Sequence, residues 1–141
     1  MHAAKTTVLI IDDSALIRRH VVQILSELKG IRIVGEAADA AEGLELARKL
    51  RPDVVTLDVR MPGASGLTVV AQIKQVEPSP IVMVLTNYPY PTYRKRATEA
   101  GADFFFDKST EFHKVLVALR NGFESAGPSD PNQIPLPGMK A

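Results

Sequence analysis

Five short apolar, β-branched runs alternate with five segments whose apolar residues recur at helical spacing, and this alternation constrains the fold more than any other feature. The runs are Thr6–Ile11, Ile31–Ala37, Val54–Leu57 (inside the stretch Asp53–Asp58), Ile81–Thr86 and Asp103–Asp107. All five read as strands, and Val54–Leu57 is apolar on both faces and too short for a helix, the pattern of a strand buried on both sides. The first intervening segment carries Ile17, Val21, Ile24, Leu25 and Leu28 as one stripe, with Arg18, Arg19 and His20 off it. Ser14 is placed to cap that helix and Gly30 to stop it. Asp39 and Glu42 have capping-box spacing at the start of the second, which runs to about Leu50 with Leu44, Ala47 and Leu50 inward. Turn residues 61–66 precede a third helix to about Val76, buried through Leu67, Val70, Ile73 and the stem of Lys74. Glu77-Pro78-Ser79-Pro80 breaks it. A short basic helix is expected from Thr92 to Ala100, closed by Gly101. The last runs from a cap at Ser109 or Thr110 to about Phe123, with Phe112, Val115, Leu116 and Leu119 inward. Strict β-α alternation implies an α/β fold: a doubly wound, five-stranded parallel sheet with helices on both faces and right-handed crossovers.

The strand ends then decide the chemistry. On the carboxyl side they present Asp12 and Asp13, Asp58, Thr86 and Lys108. In a doubly wound sheet these ends converge on one crevice. Singly, each residue has an ordinary reading: an acid pair favouring a helix N-terminus, a β-branched strand end, a solvated lysine. As a set they point to a site. Three carboxylates brought together repel unless one is protonated or a cation lies among them. Hard oxygen ligands of this kind suit Mg²⁺. Such a site would bind a phosphoryl group, with Lys108 neutralising its oxygens, Thr86 donating a hydrogen bond, and Asp58 as the nucleophile that forms an acyl phosphate.

The rest of the composition is permissive. The 141 residues suit one domain, and a net charge of +1 makes no electrostatic case for nucleic acid or an anionic membrane. There is no cysteine, the N-terminus lacks the apolar core of a signal peptide, and no apolar run reaches membrane-spanning length. A cytoplasmic protein with no direct nucleic-acid or membrane partner is expected. Residues 124–141 differ in kind, with Pro128, Pro131, Pro135 and Pro137 and few large apolar residues. The expected organisation is therefore a domain over 1–123 and a flexible tail over 124–141.

Over residues 5–123 the chain resembles the response-regulator receiver domain of two-component signalling, the CheY-like branch of flavodoxin-like folds. The likeness rests on Asp12-Asp13, Asp58 followed by Met61-Pro62 and Gly66, Thr86, and Lys108. It implies phosphorylation of Asp58 by a histidine kinase or histidine phosphotransfer protein. It implies that Asp12, Asp13, Asp58 and the backbone carbonyl of Arg60 hold Mg²⁺, that Lys108 pairs with a phosphoryl oxygen, and that Thr86 moves toward the phosphoryl group. Phe105, three positions before the lysine, would then turn inward. The surface formed by the Thr92–Ala100 helix, strand five and the last helix would meet a downstream protein or a second copy. The chemistry is self-phosphorylation and self-dephosphorylation, so no enzyme acting on an outside substrate is implied. A proline often follows the lysine in this family; Ser109 stands there, which leaves the peptide geometry open. Arg60 and Tyr88, two residues after Asp58 and Thr86, would hinder an attacking water and slow the decay of the phosphoryl state. Tyr88, Tyr90 and Tyr93 beside Arg94, Lys95 and Arg96 have the composition of an interface.

Two other classes fit less well. A haloacid-dehalogenase-like phosphatase needs a second acid two residues after its nucleophile, where Arg60 stands. A flavodoxin-like cofactor binder wants a Ser/Thr/Gly-rich phosphate loop after strand one, where Asp12 and Asp13 would repel phosphate in the absence of a metal. The tail is too short and proline-rich for a helix-turn-helix, so a stand-alone regulator is expected, with a receiver cut from a longer regulator as the alternative.

Overall fold

The computed structural model describes residues 6–58, 66–87 and 90–120. Its elements follow in the order β1 (Thr6–Ile11), α1 (Ala15–Leu25), β2 (Ile31–Ala37), α2 (Ala40–Leu50), β3 (Val54–Leu57), α3 (Gly66–Lys74), β4 (Ile81–Thr86), α4 (Pro91–Ala100), β5 (Phe104–Asp107) and α5 (Phe112–Arg120). The strands form one parallel sheet in the order β2-β1-β3-β4-β5. The chain therefore leaves β1 for one edge and returns across it to β3. The carboxyl ends of β1 and β3, side by side, are the point where strand order reverses and a crevice opens.

Side-chain alternation splits the core into two layers. Leu9, Ile11, Val55, Leu57, Val82, Val84 and Phe105 face α2, α3 and α4, where Ala47, Val70, Ile73 and Ala97 meet them. Val8, Ile10, Val54, Met83, Phe104 and Phe106 face α1 and α5, packing on Val21, Leu25, Val115 and Leu119. At Gly43 α2 lies so close to β1 that an added Cβ would sit 2.6 Å from Cδ1 of Ile11. The second helix is capped as its spacing suggests: Asp39 Oδ1 accepts from the Glu42 amide at 2.8 Å, and Glu42 Oε1 accepts from the Ala38 amide at 2.9 Å. Gly101, at φ 106°, closes α4.

Two expectations change. Helix α1 ends at Leu25 rather than at Gly30. The Ser26 hydroxyl donates back to the Val22 carbonyl, and Glu27 and Leu28 continue with tight bonds to the carbonyls three residues earlier. Gly30 instead serves the sheet, its carbonyl accepting from the Thr6 amide at 2.7 Å. Leu50, expected inward, is 37% exposed at the last turn of α2, with its Cδ1 over Gly35 of the edge strand β2. The expected tail over 124–141 lies outside the described residues.

Candidate functional site

Four strand ends build the site. Asp12 follows β1, Asp58 follows β3, Thr86 ends β4 and Lys108 follows β5. The Lys108 ammonium reaches across the crevice, donating to Asp12 Oδ2 at 2.7 Å and to Asp58 Oδ2 at 2.9 Å. Asp12 and Asp58 are buried and Asp13 is exposed; one carboxylate oxygen from each of the three lies within 4.8 Å of the others. Thr86 is fully buried, and its carbonyl accepts from the Lys108 amide at 2.7 Å, which ties the ends of β4 and β5. Asp12, Asp13, Asp58 and Lys108 are thus brought together as their strand-end positions suggest. Arg60, Met61, Pro62 and Tyr88 lie outside the described residues.

Burial alone would depress the pKa of Lys108. Hydrogen bonds and charge from Asp12 and Asp58 outweigh it and hold the pKa above the ordinary lysine value, so the ammonium stays charged at neutral pH. The Lys108–Ser109 peptide is trans. The turn after Lys108 is held by side chains instead of a proline. Asp107 Oδ1 accepts from the amide and the hydroxyl of Ser109 at 2.9 and 2.7 Å, and Glu111 Oε1 accepts from the Asp107 amide at 2.9 Å. The Ser109 bonds hold the Asp107 carboxyl below its usual pKa.

Asp12 is held from several elements at once. Its amide donates to the Ala37 carbonyl of β2 at 3.0 Å, and its Oδ1 accepts from the Ser14 amide at 2.9 Å. Its backbone carbonyl accepts from Nη1 of Arg18, whose Nε lies 3.5 Å from Glu36. Sequence reasoning placed Arg18 off the buried stripe and gave it no part in the site. The only signal was a long donor within two turns of the acid pair. Phe105 is buried on the α4 side, with the Arg94 guanidinium 5.6 Å from its ring centroid and Arg94 Nη1 3.4 Å from its carbonyl oxygen. On the same helix Tyr90 is 57% exposed and lies 5.8 Å from Tyr93, centroid to centroid.

Residues 8–120 match the response regulator receiver domain. The chain belongs to that family. This receiver is 34% identical over 148 residues to protein-glutamate methylesterase/protein-glutamine glutaminase 4 of Hahella chejuensis, covering 95% of this chain and 38% of that protein. The NarL signal receiver domain of Mycobacterium tuberculosis superposes with a TM-score of 0.76 at 35% identity, over 85% of this receiver and 99% of that chain. A chain of the CheX-CheY-BeF3-Mg²⁺ complex from Borrelia burgdorferi gives a TM-score of 0.77 at 28% identity, covering 85% and 90%. The receiver spans about half or less of the length of the curated relatives it matches first. The fold is CheY-like, five parallel strands with five helices, and the chain is a receiver domain of two-component signalling. Among the described residues no helix is long and apolar enough to cross a membrane.

Proposed function

We propose that this receiver takes a phosphoryl group on Asp58 from the phosphohistidine of a histidine kinase or phosphotransfer protein, in the cytoplasm, and passes the change to a protein-binding surface. A carboxylate oxygen of Asp58 attacks phosphorus, the P–N bond to the donor imidazole breaks, and the imidazole leaves with its electron pair and takes up a proton. The product is an acyl phosphate. The observation that carries this reading is the Lys108 ammonium bridging Asp12 and Asp58 at a strand-order reversal.

The donor set fits Mg²⁺: hard carboxylate oxygens lie within 4.8 Å of one another beside a crevice open at Asp13. Asp12, Asp13 and Asp58 would hold the ion, with the Arg60 carbonyl as the further ligand that the family likeness implies. When bound, it would neutralise charge on the phosphoryl oxygens. Lys108 supplies the second cation. As Asp58 becomes an acyl phosphate, its ammonium exchanges a carboxylate partner for a phosphoryl oxygen. Thr86, buried at the end of β4, turns its hydroxyl to the same group. Phe105 and α4 respond, and α4, β5 and α5 present the surface read by a downstream protein or a second copy. The Borrelia burgdorferi complex, which holds BeF3, Mg²⁺ and a protein partner, supports the metal and protein-partner parts of this reading.

We take residues 1–123 as the working unit and 124–141 as its tail. The same reaction serves a stand-alone regulator and a receiver joined to an output domain. The test is incubation with a small phosphodonor and Mg²⁺, read by intact mass. A phosphoryl adduct is expected in the wild type and not in Asp58→Asn; an adduct in both proteins, or in neither, overturns the assignment.

A further inference from the structure

We propose that Arg18 is a positioning residue for the metal-holding acids: it fixes the peptide unit that joins Asp12 to Asp13, and without it the receiver binds Mg²⁺ more weakly. The inference rests on the reading of those two acids as metal-holding residues. The carbonyl of Asp12 and the amide of Asp13 belong to one planar group, so a bond that fixes one fixes the direction in which Asp13 leaves the strand. Arg18 Nη1 makes that bond. Its Nε faces Glu36 of β2 at 3.5 Å, so the guanidinium is held at two edges, between the acid pair and the neighbouring strand. The side chain is only 17% exposed. Its aim is therefore restricted by packing as well as by hydrogen bonding.

The other contacts of Asp12 do not do this work. Ser14 and Lys108 hold the carboxylate, and Ala37 takes the amide on the strand side. None of these bonds reaches the Asp12 carbonyl. Asp13 is exposed, and the direction in which it leaves the strand is set by that peptide. A metal that needs near-ideal octahedral geometry is sensitive to that direction. Groups that orient ligands in this way are typically worth 10- to 100-fold in metal affinity.

Charge alone makes the opposite statement. A guanidinium beside the acids repels a divalent cation, so deleting it should tighten binding if electrostatics ruled. Arg18→Lys separates the two effects further. It keeps the charge and most of the stem but loses the planar fork that meets two partners at once. Arg19, the exposed next residue, carries the same charge and serves as the control.

The experiment is calorimetric titration of Mg²⁺ into the full chain for wild type, Arg18→Ala, Arg18→Lys and Arg19→Ala, with thermal unfolding in chelator to show that each is folded. Arg18→Ala is expected to weaken Mg²⁺ binding about 10-fold. Arg18→Lys should recover less than half of that loss on a logarithmic scale, and Arg19→Ala should stay within about twofold of wild type or bind slightly tighter. The Mg²⁺ concentration for half-maximal phosphorylation should move by the same factor as the dissociation constant. Unchanged or tighter binding in Arg18→Ala overturns the inference, as does full recovery by lysine. Should Arg18→Ala not fold, Arg18→Lys decides alone, with wild-type affinity as the refuting result. Absence of Mg²⁺ binding in the wild type would instead sink the metal reading itself, and the two failures are therefore distinct.

Discussion

Lys108 is the cation that lets Asp12 and Asp58 be buried as anions, and its removal gives the sharpest test of the site's electrostatics. Lys108→Met keeps the aliphatic stem and deletes the charge. The structure then leaves carboxylate oxygens within 4.8 Å of one another and removes contacts of 2.7 and 2.9 Å. At an effective dielectric constant of about 20, two unit charges at that separation repel by about 3 kcal/mol. Water screens the pairs that involve exposed Asp13, so the buried Asp12–Asp58 pair dominates. Breaking a buried ion pair by removing one partner costs about 3–5 kcal/mol, and opening of the crevice should hold the loss to about 3 kcal/mol. For a domain of this size that lowers the melting temperature by about 10 °C. The assay is thermal unfolding at neutral pH in chelator and again in millimolar Mg²⁺. Mg²⁺ should raise the midpoint more in Lys108→Met than in wild type, because no ammonium competes for the carboxylates and ligand stabilisation grows with affinity. A variant at least as stable as wild type in chelator would refute the reasoning, as would equal Mg²⁺ shifts in the two proteins.

Four further outcomes are expected. Because the folded pKa of Lys108 lies above the ordinary lysine value of 10.5, its contribution to stability is fully present below that pH and is lost as pH rises through the folded value; urea midpoints should fall more steeply above pH 10.5 in wild type than in Lys108→Met, and parallel curves would argue against it. Gly43→Ala should destabilise by about 1–3 kcal/mol in urea titration despite the gain in helix propensity, since the new methyl meets Ile11; a stabilised variant would show that α2 can lift at no cost. Asp103→Ala should cost about 3 kcal/mol, because buried Asp103 accepts from the Val82 amide and the Lys74 ammonium, both at 2.9 Å; it should leave Mg²⁺ affinity unchanged, since it sits at the opposite edge of the sheet, and a shifted affinity would break the assignment of the two edges. Tyr90→Ala combined with Arg94→Ala should weaken capture of the phosphorylated receiver's protein partner by at least about tenfold in a binding titration, and undiminished binding would move the interface off α4.

The sheet was legible in the chain because its strands are short and rich in β-branched residues, the inner ones are apolar on both faces, and turn or polar residues bound them. β2 and β4 lie where the pattern puts them, and Asp58 and Lys108 meet because parallel strands bring their carboxyl ends to one edge. What escaped has physical reasons too. Ser26 and Glu27 carry no strong breaker signal, yet the Ser26 hydroxyl competes for a helix carbonyl and α1 tightens and stops there. Leu50 keeps helical spacing, but the last turn of α2 lies over the edge strand β2, where its Cδ1 meets a glycine, Gly35, and it stays 37% exposed. Arg18 was out of reach for a different reason. Periodicity records which face a residue leaves from, whereas a long side chain acts where its end arrives, here at a carbonyl six residues back.

The contacts also supply a route by which, under the proposed function, a change at Asp58 would reach the surface that Phe105 and α4 occupy. Lys108 holds Asp58 with its side chain and the Thr86 carbonyl with its amide, so a shift of the ammonium toward a new partner loads the joint between β4 and β5. That joint is in register: Thr86 pairs with Asp107, and Val84 with Phe105. The Phe105 carbonyl accepts from Arg94, whose guanidinium also covers the ring. Asp58, Lys108, Thr86, Phe105 and Arg94 thus form one contiguous set from the acid crevice to the basic face of α4. Packed cores resist gradual deformation, so strain entering at Lys108 on phosphorylation would be relieved by a discrete rearrangement. Under the proposed function Phe105 would be the moving part; its side chain has no hydroxyl, and the Arg94 guanidinium lies over its ring. On that reading the position of α4, and with it the exposed Tyr90, would follow from whether Arg94 keeps that hold.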